Sequence, residues 1–235
     1  MKKLITTFAF IALSTVTANA VDREVFSITA GLASNQGVFG ASAKETNRSD
    51  TNVVLNTESA SGVFTDSYGS QFIELGIGRF ISIGYEHTPD SVSTPTNTTR
   101  HGSTAVANVS VDFNDLNTTY LKINLPGGVY AKAGTVETDL DIKEVMGSGS
   151  TYKNVSTSGT MMALGYQTFI KDSGFGLRFE GSYMELDPVT TSNGVATDGG
   201  SITNGGRNQI DAKNLEGLTG KVALTYTFGK SGNSF

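Results

Sequence analysis

Three observations predict an all-β fold for this chain, an eight-stranded antiparallel up-and-down barrel. Apolar residues alternate with period two through most of the sequence, tight turns alternate with long polar stretches, and no segment carries a stripe of period 3.6. Strands are expected near 24–34, 69–78, 80–88, 105–125, 128–142, 152–170, 174–187 and 209–228. In the second, Ile73, Leu75 and Ile77 oppose Phe72, Glu74 and Gly76; in the third, Ile81, Ile83 and Tyr85 oppose Ser82, Gly84 and Glu86. The fourth keeps one parity from Ala105, Val109 and Phe113 to Leu121, Ile123 and Leu125, which predicts a single apolar face over its whole length. Met162, Leu164 and Tyr166, then Phe175, Leu177 and Phe179, then Leu218, Val222, Leu224, Tyr226 and Phe228 continue the pattern.

The connections are of two kinds. Gly78-Arg79, Pro126-Gly127-Gly128 and Lys171-Asp172-Ser173-Gly174 are tight turns, with Pro presetting φ and Gly admitting positive φ. Stretches 44–62, 88–103, 144–158 and 187–208 are rich in Ser, Thr, Asn and Gly and read as solvated loops. Residues 1–20 read as an export leader: Lys2 and Lys3, an apolar run over 4–16, then Ala18-Asn19-Ala20 as a small-x-small cleavage pattern. One barrel domain is expected over 21–235, and loss of the two leader lysines takes the net charge from −5 to −7. No later window offers about 18 consecutive apolar residues for a membrane helix.

Composition removes whole classes of function. With no cysteine, a disulfide scaffold, a cysteine-ligated zinc site and a cysteine nucleophile are excluded. A net charge of −5 has the wrong sign for a nucleic-acid partner. The 13 Phe and 8 Tyr argue against disorder. Charge placement then separates a soluble barrel from a membrane one. Glu74, Glu86, Lys122, Lys132, Arg178, Glu180 and Lys221 lie on the strand faces opposite the aliphatic ones. A soluble barrel would bury those seven groups around an apolar interior at high cost, whereas a barrel with aliphatics toward lipid turns them into the lumen. An eight-stranded lumen is just wide enough to be filled by side chains. The simplest expectation is therefore an ion-paired, bracing lumen, with Arg178 and Glu180 as one pair. A pore lined by Lys122, Lys132, Arg178 and Lys221 for small solutes is the alternative.

The last strand carries Lys221-x-Ala223-x-x-Tyr226-x-Phe228, which resembles the assembly signal of outer-membrane β-barrels, with Ala223 where that signal usually has Gly and a tail, 229–235, beyond it. Together with Tyr120-Leu121-Lys122-Ile123-Asn124 and the run from Gly128 through Tyr130, Lys132 and Gly134, the whole mature chain resembles the small outer-membrane β-barrel superfamily that includes outer membrane proteins A, X and W. The resemblance implies an outer-membrane location, lipid and lipopolysaccharide as surroundings, the barrel-assembly machinery as a partner, and a monomer. It implies a fold and a compartment and names no ligand. Tyr85, Tyr166, Tyr183, Tyr226 and Phe228 are candidates for the aromatic girdles.

Little else points to chemistry. His87 and His101 are the only imidazoles, and His87 lies beside Glu86 and Asp90 with no Gly-x-Ser-x-Gly elbow in the chain, so no enzyme is expected. Glu137, Asp139, Asp141 and Glu144 form an acidic run that reads as a solvated face, with a divalent-cation site as the sharper alternative. No cofactor is expected. A structural envelope role ranks first, a narrow porin second, and a surface adhesin or phage-exposed barrel third, because loops on a rigid scaffold are where recognition sits.

Overall fold

The computed structural model describes residues 26–49, 53–101, 105–145, 151–170, 173–193 and 208–228. The expected leader, 1–20, and the tail 229–235 lie outside these residues. Among the described residues eleven strands form one antiparallel sheet: β1 (Phe26–Arg48), β2 (Val54–Ile77), β3 (Ile81–Thr88), β4 (Val92–Ser93), β5 (Asn97–His101), β6 (Ala105–Asn124), β7 (Val129–Val145), β8 (Val155–Phe169), β9 (Phe175–Leu186), β10 (Val189–Ser192) and β11 (Asn208–Phe228). The order β1-β2-β3-β6-β7-β8-β9-β11 returns on itself because β1 pairs with β11 from Ile28↔Phe228 to Asn47↔Asn208. Those eight strands are the staves of the barrel; β4 and β5 continue β3 along β6, and β10 lies along β11.

The period-two pattern sets the two faces. Leu32, Ile83, Leu121, Leu164, Leu218 and Val222 are exposed on the outside, where lipid replaces water as the solvent. Lumenal positions alternate with them, as the strongly periodic burial of β9 and β11 shows. All three tight turns sit at one end. Gly78, Gly127, Gly128 and Gly174 have positive φ there, and Ser173 Oγ donates to the Ile170 carbonyl at 2.9 Å to close the last turn.

The strands run further than the sequence suggests. The first expected strand ends at 34, but β1 continues to Arg48; the second is expected from 69, but β2 begins at Val54. At about 3.3 Å rise and about 40° tilt, the 24 residues of β2 climb about 60 Å, more than twice an apolar band of about 25 Å. The stretches expected as loops at 44–62, 88–103, 144–158 and 187–208 contain much of this extra sheet, including β4, β5 and β10. Over 54–63, β2 stands in water on both faces and needs no apolar alternation, so its composition looks like loop.

Two β-bulges mark where the barrel leaves the apolar band. The β6–β7 register steps from Asn114↔Asp139 to Asn117↔Glu137, and the β11–β1 register steps from Gly40↔Glu216 to Ser42↔Lys213. The extra residue on each strand includes one in the left-handed region: Asp115 at φ 50 and Asn214 at φ 53, types whose short polar side chains tolerate it. The bulge corrects the expected single face of β6. Leu121 and Ile123 face lipid, but above Asp115 the parity inverts and Phe113 packs inward against the buried cluster of Phe39, Tyr68 and Leu116.

Candidate functional site

Seven ionisable side chains form a belt across the lumen. Glu74, Glu86, Lys122, Lys132, Arg178, Glu180 and Lys221 are all buried, Arg178 wholly so. Each stands where strand alternation turns it inward, and their partners come from across the barrel. Arg178 on β9 holds Glu74 on β2 through two parallel hydrogen bonds, Nη1 to Oε1 at 2.7 Å and Nη2 to Oε2 at 2.8 Å. Lys122 also pairs with Glu74, Tyr120 donates its hydroxyl to Oε1 of that carboxylate at 2.8 Å, and Gln167 Oε1 accepts from Arg178 Nη2 at 2.7 Å. In the second half of the belt, Lys221 on β11 bridges Glu86 at 2.7 Å and Glu180 at 3.0 Å, while Lys132 pairs with Glu180 at 2.7 Å. Ser70 donates to Glu86 at 2.6 Å and Tyr130 to Glu180 at 2.8 Å.

This pairing corrects one expectation. Arg178 and Glu180 are two apart on one strand, but Arg178 reaches Glu74 and Glu180 reaches Lys132 and Lys221. Sequence spacing could not show this, because β2 and β9 meet only across the closed ring. Lys122 and Lys132 are direct cross-strand neighbours, a repulsive placement, and each turns to a different acid. Four bases face three acids, and aromatic rings help to balance the excess. Lys132 Nζ lies 4.2 Å from the Tyr120 ring centroid, and the Arg178 guanidinium lies 4.7 Å from that of Phe72 and 5.2 Å from that of Tyr130. Phe72, Tyr120, Tyr130 and Gln167 were not among the expected site residues. Their signal was available in the sequence: Phe72 shares parity with Glu74, Tyr120 with Lys122, and Tyr130 with Lys132.

Above the belt the lumen is apolar. Phe39, Tyr68, Leu116, Val136, Met161, Met184 and Leu215 fill it, and Val92 of β4 is buried among them. The space left under Val92 is about 20 Å³, room for about one water.

The remaining candidates are scattered. Glu137, Asp139 and Asp141 lie along the outer face of β7; Asp141 accepts from Asn114 at 2.7 Å and from Asn154 at 2.8 Å, and Asp139 from Ser156 at 2.7 Å. Glu144 follows in the same strand, its backbone opposite Val109. Among the described residues no three His, Asp or Glu side chains gather into a metal-holding group. His87 Nδ1 is 2.8 Å from Asn117 Oδ1, whereas Glu86 points inward to Lys221, so strand alternation parts the two residues that could have formed a dyad. In the last strand Lys221 and Ala223 face the lumen, and Tyr226 stacks edge-on between Phe175 and Phe228 at the turn end. Tyr85, Tyr166 and Tyr183 are exposed on the outer face.

The β4 strap is held from outside. Burial alone would raise the Asp112 carboxyl, but hydrogen bonds with Lys143 and Ser93 and the Lys143 charge outweigh it and hold it below the ordinary Asp range. A carboxyl held down in the folded state adds stability above its unfolded value, and that stability is lost as pH falls through the folded one. Protease cleavage near β4 is therefore expected to rise below about pH 4, and Asp112→Asn should remove that pH dependence.

The closed antiparallel ring, lipid-type exterior and ionised lumen define a transmembrane β-barrel of the outer-membrane type. No family model and no curated protein matches the chain. Among solved structures it is similar to the outer membrane protein OprG from Pseudomonas aeruginosa, with a TM-score of 0.51 and 12% identity over 83% of this chain and 95% of that one. The outer membrane protein AlkL, determined in lipid bilayers, aligns at a TM-score of 0.42 and 11% identity over 94% of this chain and 98% of that one. Ail of Yersinia pestis, in complex with a heparin analogue, aligns at 0.34 and 8% over 84% and 99%. The likeness to OprG speaks to the fold.

Proposed function

We propose that the chain is exported on its leader, folded by the barrel-assembly machinery through its last strand, and resident in an outer membrane as a structural element of the envelope with a sealed lumen. The observation that carries this reading is the two-pronged Arg178–Glu74 bond, which ties β9 to β2 across the lumen. A small solute entering from outside would meet the apolar fill under Val92, then the belt, and each ion pair opened would leave a desolvated charge. Lipid and lipopolysaccharide are the partners of the outer face; no cofactor and no reaction is assigned. In planar bilayers the purified protein is expected to give no discrete openings. Stable single-channel currents altered by Lys122 or Lys132 substitutions would assign it instead to solute transport.

A further inference from the structure

The wall of the barrel splits above the apolar band, and the geometry points to a two-fold dimer in which the split edges of two copies pair with each other, in place of the monomer expected from the sequence. Within the apolar band β3 pairs with both β2 and β6. Its continuations β4 and β5 pair with β6, and among the described residues no strand pairs with β2 on that side above Gln71. The bulge at Asp115 and the burial of Val92 draw β4 toward β6, and Pro95, which has no N–H to donate, separates β4 from β5.

The gap on the other side of the β6–β7 flap is stitched. Ile142 N donates to Asn154 Oδ1 at 3.0 Å, Asn154 Nδ2 to Asp141 at 2.8 Å, and Thr191 Oγ1 to the Lys153 carbonyl at 2.7 Å. Across the β2 seam the last such bond among the described residues is Ser93 N to Asp66 Oδ2 at 3.0 Å.

The free edge carries few of the devices that keep strand edges apart. Residues 54–70 contain no Lys, Arg or Pro, and Leu55 and Val63 are 68% and 74% exposed although they stand beyond the lipid. Charge favours the other lip of the seam as partner: 54–65 carries the acid Glu58 and no base, and 97–101 carries Arg100 and no acid. Direction fixes the symmetry. β2 runs toward the tight turns and β5 away from them, so β2 of one copy and β5 of a second pair antiparallel. A two-fold axis along the membrane normal then makes that contact twice. Counted on from Gln71↔His87 without a slip, Ser59 lies opposite Thr99 and Glu58 opposite Arg100; carrying over the two-residue step that β5 takes against β6 relative to β3 puts Ser61 opposite Thr99 and leaves Glu58 diagonal to Arg100.

The chain has no cysteine, so engineered disulfides read this contact against no background. Full-length Ser59→Cys and Thr99→Cys single variants, co-reconstituted in lipid vesicles and oxidised, are expected to give a heterodimer of twice the monomer mass, reversed by reductant. Ser61→Cys in place of Ser59→Cys covers a two-residue step in register. Reversing either Glu58 or Arg100 should lower the yield about fivefold, the factor carried by ~1 kcal/mol, and reversing both should restore it. A crosslink at monomer mass in the doubly substituted chain, dimers from a single variant alone, or no crosslink with either pair would each overturn the dimer. Channel silence is measured separately, so the sealed-lumen reading stands or falls apart from this one.

Discussion

Glu74→Gln is expected to be the most damaging single substitution in the lumen, lowering stability by about 3–5 kcal/mol. The change keeps the side-chain shape but removes the counter-charge of both Arg178 and Lys122. Arg178→Met should cost less, because it leaves Glu74 paired with Lys122 and Tyr120 and brings bases and acids to three each. Combining the two returns the belt to its native excess of one cation, so the double variant should recover part of what Glu74→Gln loses. Denaturant unfolding in lipid vesicles, followed by the heat-modifiable gel shift, measures all three. Arg178→Met proving as damaging as Glu74→Gln would mean that the guanidinium contributes through its packing on Phe72 and Tyr130 more than through its charge.

The second large effect is expected at Gly165. A Cβ there would lie 2.2 Å from Tyr130 Cζ, 2.3 Å from its hydroxyl and 2.7 Å from the Phe179 carbonyl. The ring must move off the strand it lies on, and the hydroxyl that donates to Glu180 at 2.8 Å moves with it. Overpacking contributes about 1–3 kcal/mol and the lost bond to a buried charge about 1.5–3 kcal/mol, so Gly165→Ala should destabilise more than Tyr130→Phe. Gly181→Ala and Gly220→Ala, where nothing lies within 4 Å, are the matched controls and should be near neutral. Equal losses at Gly165 and Gly181 would show that glycine content alone sets the effect.

The lumen was legible wherever one strand face meets lipid. There Ile83, Leu121 and Leu164 had to alternate with inward groups, and the seven charges stood out against them. Which acid each base meets was not legible, since alternation reports the side of the wall and not the far wall. The water-exposed half was hidden for a different reason. Residues such as Asn56, Thr57, Ser59 and Ser61 extend β2 with solvent on both faces, and nothing selects a period there. The bulges were hidden too: Asp115 and Asn214 look like ordinary polar residues, and only their left-handed φ marks the step. For β6 this made one continuous parity out of two opposed ones, so Phe113 and Leu121 read as neighbours on a face that they do not share.

Those two steps also give the molecule independent halves for variation. A strand whose alternation were rigid from end to end could not gain or lose one residue without turning every later side chain to the opposite side. Asp115 and Asn214 already absorb one such slip each, at the level where lipid ends. A length change in the outer reach of β6 or β11 can therefore be taken up by widening or removing the local irregularity, while Lys122 and Lys221 keep their places opposite Glu74 and Glu86. The exposed sheet is free to diversify in length and surface under pressures from outside the cell, and the wall beneath it keeps its register.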